Sequence, residues 1–525
     1  MISVDRAAAQ PADRAWWGSP MVQLLAILAT GLPLWFCHLP PLNDLPGHLG
    51  SYHVELNRAG SPALQRDWAV HWGLIGNLGV DLAMLPLAKL VGLERAIWLI
   101  AAALPPLTAW GFFRVAAAVH GRVTALAYFA LPLTFAFPYQ YGFLNFCLGV
   151  ALAFHIFASW IRSEARPPWL RLAGLAVAGL CAWVAHTYGW AVLCVLVGCY
   201  ELARSRSMVS VARHAWPLLA PVLPMLIWKS GSHHHLLHGW FMMRGKAVAV
   251  QWLLRDQSQI FDELSVLAIV CALVVALRIK GARVPAALGW PALAFAILYL
   301  ILPREMFHSG YADIRLAPIA LATALLAIDV GANRRAAASI AAAGLALLVL
   351  RVGVGAQGVR RADSAMTSHL HALEQVAPGS RVAALVAWPC DRSWRMPRTE
   401  HLSAMALVRR DAFVNTQWNV AGSEVVEPLG GWGTPFNEDP SQFVSDPTCR
   451  ASWDYELRGR MNAREDTSPL IPALAGKIAS VPRDRFQYVW VFGFASGMLP
   501  TFPGWQPVFA DADTVLYRQA DPSGR

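Results

Sequence analysis

Long apolar runs, parted by short basic gaps, fill the first two-thirds of the chain. A helix that crosses a bilayer needs roughly 17–25 mostly apolar residues. Runs near that length lie at 21–38, 95–114, 123–138, 142–161, 169–186, 188–203, 214–229, 262–278, 286–302, 314–331 and 336–353. The pattern predicts about eleven membrane-spanning helices. Residues 74–92 are also apolar enough, but Asn77, Asp81 and Lys89 interrupt them. They are expected to lie in the interface or against the bundle, an extra span compensated elsewhere being the alternative. Past residue 354 no bilayer-length run remains. Short β-like runs appear instead at 381–388, 488–494 and 514–517, behind a helical stretch near 362–376. The expected fold class is a polytopic α-helical membrane protein with a C-terminal α/β domain large enough to bury its own core. Its parts are a tail at 1–20, a transmembrane domain at 21–353 with a long first external loop at 39–94, and a soluble domain at 354–525.

Charge sets the orientation. Arg114, His120 and Arg122 share one gap, and Arg162, Arg166 and Arg171 another. Arg204, Arg206 and Arg213 follow, then Arg278, Lys280 and Arg283, and finally Arg334 and Arg335. Loops rich in Lys and Arg stay in the cytoplasm. With all these gaps inside, the N-terminus is cytoplasmic and the C-terminal domain is expected in the periplasm of a bacterial inner membrane. Composition agrees, with 56% hydrophobic and 14% charged residues, against about 25% charged in a soluble domain. The net charge of +10 is accounted for by these gaps, so no nucleic-acid partner is expected; the bilayer is the partner. The first run lacks a small-residue cleavage site and is expected to be a retained anchor. Cys390 and Cys449 fall in the external domain, where a disulfide is permitted but spacing leaves it open.

Candidate chemistry gathers in the segments that this parity places outside. Asn43-Asp44-Leu45-Pro46-Gly47-His48 follows the first span, and a helix starting there brings His48, Ser51, Glu55 and Arg58 to one face. Asp44 has two readings: a simple helix cap, or a carboxylate facing a cavity together with His48. Arg304, His308, Asp313 and Arg315 flank a later span. An Arg there suits bidentate phosphate binding, or snorkelling with Asp313 as partner. Tyr139, Gln140, Tyr141 and Asn145 suit sugar stacking and hydrogen bonding, or an aromatic belt; His186 and Tyr188 are similar. His233-His234-His235 diverge and have no completing ligand at usable spacing, so no metal site is expected.

Asp44-Leu45-Pro46-Gly47-His48 after the first span and Gly142-Phe143-Leu144-Asn145 further on, in this architecture, resemble an uncharacterised bacterial branch of the GT-C superfamily of membrane glycosyltransferases. That group contains protein O-mannosyltransferases and aminoarabinose transferases, and the resemblance covers roughly residues 21–353. It implies transfer of a sugar from a polyprenyl-phosphate-linked donor to a glycan, lipid or protein acceptor on the outer face, with inversion. Asp44 would be the general base and His48 would bind the acceptor or orient it. Arg315 and then Arg304 would bind the donor phosphate, and Tyr139, Gln140, Tyr141, Asn145, His186, Tyr188 and Glu55 would line the sugar or acceptor. No cofactor or metal is implied beyond the lipid-linked co-substrate. The turn 139–145 lacks the second acidic residue that many relatives carry. The alternative reading is a transporter, or a non-catalytic assembly partner, for lipid-linked saccharides, which calls for a polar path through paired, broken helices.

Overall fold

In the computed structural model every apolar run is helical over most of its described residues, but several are built from short pieces. It describes residues 15–227, 237–306, 310–388, 394–396, 398–417, 424–430, 442–445, 470–494 and 496–520. Five helices in these segments are long and apolar enough to cross a membrane by length and composition: Leu93–His120, Leu144–Arg162, Pro168–Ala185, Gln259–Arg278 and Arg334–Gln375. Others break where proline removes a backbone donor. The run at 123–138 divides into Ala127–Ala130, Leu131–Phe135 and Phe137–Tyr141, with Pro132 and Pro138 opening the second and third pieces. Residues 74–92 give a helix of 13 residues, Gly79–Val91, packed against Leu93–His120 and Leu144–Arg162. At 1.5 Å per residue it is shorter than the roughly 30 Å hydrocarbon core.

The boundary expected at 353/354 falls inside one continuous helix, Arg334–Leu370, which a 3-10 turn extends to Gln375. Apolar until about residue 350 and polar after it, this helix leaves the bundle and enters the C-terminal domain. There Arg381–Trp388 pairs in parallel with Tyr488–Phe492, and Thr514–Gln519 continues the sheet antiparallel, flanked by Trp505–Ala510. The three β-like runs are thus neighbours in one mixed sheet. Val382, Val489, Val491, Val515 and Leu516 are buried in it.

The first loop belongs to that domain as much as to the bundle. Trp68–Val70 pairs antiparallel with Val426–Pro428. The Leu45–Asn57 helix buries Leu45, Leu49 and Tyr52 in the same core as Leu402, Leu407 and Phe413. His53 and Ser61 each hold a carboxylate oxygen of Asp411 at 2.7 Å. The candidate site forms at the seam between bundle and soluble domain. Cys390, Cys449, His308 and the run His233–His235 lie outside the described residues.

Candidate active site

Asp44 occupies the N-cap position of Leu45–Asn57, yet its side chain makes no capping bond. Its backbone is held instead by the turn at 140–142. The Asp44 N–H donates to the Tyr141 carbonyl at 2.8 Å, and the Asn43 N–H to the Gln140 carbonyl at 3.3 Å. Gly142 makes this approach possible. Its φ of +97° suits glycine, and a Cβ there would stand 3.0 Å from the Asp44 nitrogen. The carboxylate is therefore positioned through its backbone and left for other partners.

Those partners come from both domains. Asn43 Nδ2 donates to Asp44 Oδ1 at 3.4 Å and to Glu400 Oε2 at 2.5 Å. His401 Nε2 lies 3.8 Å from Asp44 Oδ1 and 3.7 Å from Glu400 Oε1. Burial pushes the Asp44 carboxyl up to about 7, although the Arg315 charge and the Asn43 amide pull it back down. Burial also holds the imidazoles neutral, His48 down to about 4 and His401 down to about 3. His48 stacks on Tyr52, with ring centroids 6.2 Å apart, and is an electrostatic neighbour of His401.

A buried cationic cluster stands beside this group. Arg315, 5% exposed, donates to the Gly310 carbonyl at 3.0 Å, and its guanidinium lies 3.9 Å from the Phe143 ring centre. Asp44, Tyr188 and Tyr311 are among its electrostatic neighbours. Lys246 and Arg304, also buried, share Asp313: Lys246 Nζ is 2.7 Å from one carboxylate oxygen and Arg304 Nη1 3.8 Å from the other. Arg304 also covers the Tyr311 ring at 4.3 Å. Three buried cations, Arg315, Arg304 and Lys246, thus gather around Asp313 and beside Asp44, an arrangement that can hold an anionic ligand. Phe146, 5.6 Å under Arg315, also lines an apolar cavity with Thr108, Phe112, Tyr139, Cys147 and Pro318.

The soluble domain roofs the site with residues 394–396 and 398–401. Met396 sits in an apolar cluster with Phe137, Ile314, Tyr141 and Tyr311. Arg398 donates to the Gln140 carbonyl and side chain at 3.1 and 3.0 Å and to Asp256 at 3.1 Å. Trp394 Nε1 donates to Asp262 at 2.6 Å.

In fold, the chain is similar to ArnT. Two solved structures of ArnT from Cupriavidus metallidurans match it over 95% of this chain and 96% of theirs. The one bound to undecaprenyl phosphate is 12% identical with a TM-score of 0.46, and the apo one 11% identical with a TM-score of 0.48. No protein-family model and no curated protein matches the chain.

The structure brings Asp44, His48, Arg315, Arg304 and Tyr141 to one seam, but gives other candidates different work. Tyr139 is buried with its hydroxyl on the Ala101 carbonyl at 2.8 Å, and Gln140 is the anchor for Arg398. Asn145 accepts from Val80 N–H at 2.6 Å and donates to the Asn77 carbonyl and Asp81, fixing the start of Gly79–Val91. His186 caps its helix by accepting from Tyr188 N–H, and the Tyr188 hydroxyl donates to the Ala312 carbonyl. Glu55 sits apart with Asp81 and Glu424, its carboxyl pushed up to about 9 by burial and by those two charges. Lys246, Arg398, Glu400 and His401 stand outside the candidate site residues read from the sequence. The signal for the last three was a cluster of ionisable groups, Arg398 to His401, directly before the apolar stretch 402–408.

Among the described residues, His369, Asp511 and Asp513 are close enough to share a metal. They tie the end of Arg334–Leu370 to the turn before Thr514–Gln519.

Proposed function

We propose that the protein is an inverting membrane glycosyltransferase that takes a sugar from a polyprenyl-phosphate-linked donor on the outer, periplasmic side of the inner membrane. The observation that carries this reading is Asp44: a carboxylate in the cap position, free of the cap bond, set between Asn43, His401 and the Arg315 charge. The acceptor hydroxyl oxygen attacks the anomeric carbon and its proton passes to Asp44. The bond from that carbon to the phosphate oxygen breaks, and its electron pair leaves with the phosphate. A sugar hydroxyl is a far weaker acid than a carboxylic acid, so the proton moves late, as the new C–O bond forms; such base catalysis supplies about 10²–10⁴-fold.

The leaving phosphate gathers negative charge. Arg315, with Arg304 and Lys246 behind it, offers fixed cations in a dry setting, where they act more strongly than in water. The apolar cavity sharing Phe146 with Arg315 suits the start of a prenyl tail. These side chains can supply the positive charge that some transferases draw from a metal, so the step is proposed to need none. Asp44→Asn tests the base. The variant is expected to fold and accumulate like the parent but to lose at least about 10²-fold in transfer from a lipid-linked sugar. Parental activity in a well-folded Asp44→Asn protein contradicts the assignment.

A further inference from the structure

The step described above leaves Glu400 and Asn43 without a role. Asn43 is fully buried, and its Nδ2 lies within reach of both carboxylates. The amide is assigned this way round because its nitrogen then donates to both carboxyl groups. Asn43 Oδ1 then has no hydrogen-bond partner among the described residues. A buried acceptor in that condition calls for a donor. Glu400, 7% exposed, accepts from the same Asn43 nitrogen as Asp44 and comes from the soluble domain.

Position assigns the two sides of the reaction. The cations lie on the bundle, at Lys246, Arg304 and the start of Leu316–Ala327. In an inverting displacement the nucleophile enters opposite the leaving phosphate; a phosphate at Arg315 on the bundle leaves Asn43 and the soluble domain's Glu400, both bonded beside Asp44, for the acceptor. The groups facing this side are Asp44, Glu400, the Asn43 amide and the imidazoles His48 and His401. Two carboxylates repel an anionic acceptor, while a hydroxyl can donate to Glu400 or to Asn43 Oδ1.

We propose that Glu400 and Asn43 Oδ1 form the acceptor subsite, and that the acceptor they take is an uncharged polyhydroxyl group such as a neutral glycoside. This rests on the glycosyltransferase reading, since the direction of attack defines the acceptor side. Glu400 accepts from one hydroxyl and Asn43 Oδ1 from its neighbour, which presents a third to Asp44.

The full chain in lipid nanodiscs, free of glycosidic detergent, is titrated with methyl α-D-glucopyranoside and with D-glucuronate, with and without undecaprenyl phosphate. The parent protein is expected to bind the neutral glycoside saturably and to disfavour glucuronate. Glu400→Gln, close to isosteric, is expected to weaken glycoside binding about tenfold and to narrow the gap to glucuronate, with undecaprenyl phosphate binding unchanged. A purely structural Glu400 would not move that charge selectivity. Absence of glycoside binding in the parent, preference for glucuronate, or unchanged selectivity in Glu400→Gln overturns the proposal. Failure of undecaprenyl phosphate to bind the parent counts against the donor site instead, and the saccharide titration still decides the subsite.

Discussion

Asp44 concentrates the argument at the scale of single residues. A carboxyl group raised to about 7 by burial is half ionised near neutrality, where a general base is most useful. The rate should therefore follow its ionisation: kcat/KM for transfer is expected to rise about tenfold per pH unit below roughly pH 7 and to level off above it. His48 and His401, held near 4 and 3, stay neutral across that window and add no limb of their own. Stability moves the other way. Between the ordinary value of 3.8 and about 7 the folded chain keeps a proton that the unfolded chain has lost. This contribution to stability therefore falls as pH rises through the window and is constant above it. A pH–rate profile beside melting midpoints over the same range checks both signs; a flat rate from pH 5 to 8 would rule Asp44 out as the titrating base.

Elements explain why the site exists only when bundle and soluble domain are together. Asp44 stands at the N-cap of the Leu45–Asn57 helix, the 140–142 turn holds its backbone, and residues 398–401 lie over both. Arg398 is the tie, with a side chain only 10% exposed and bonds to Gln140 and Asp256. Arg398→Met leaves the Asp256 carboxylate buried without that partner, a loss of about 3–5 kcal/mol for a buried pair. The expected result is a lower melting point and faster amide exchange at 398–407, with transfer falling while undecaprenyl phosphate still binds. Unchanged exchange in that segment would mean the roof is held by something other than Arg398.

At the scale of the whole molecule, apolar periodicity made the helices and the three central strands legible, because burial dictates those patterns directly. The same signal could not show that Arg334–Leu370 runs unbroken from bundle to soluble domain, since the change from apolar to polar faces mimics a boundary. Asp44, Arg304 and Arg315 were readable as costly charges beside apolar runs. Glu400 was not: it lies 357 residues from Asn43 in sequence and meets it only through tertiary packing. Asn145 and Tyr139 were readable as polar groups at a span end, but their bonds to Asp81 and Ala101 could not be.

The central claim is that the seam holds a lipid-linked phosphate at Arg315 with its sugar beside Asp44. Mass spectrometry of lipid retained by the purified full-length protein tests this most directly, comparing the parent with Arg315→Met and Asp44→Asn. The expected result is a polyprenyl phosphate or its sugar-bearing form on the parent. Asp44→Asn should retain the sugar-bearing form, and Arg315→Met should hold about tenfold less of either for the loss of one buried charge-assisted contact. A parent protein carrying no polyprenyl phosphate, or an Arg315→Met variant carrying as much as the parent, would contradict the account.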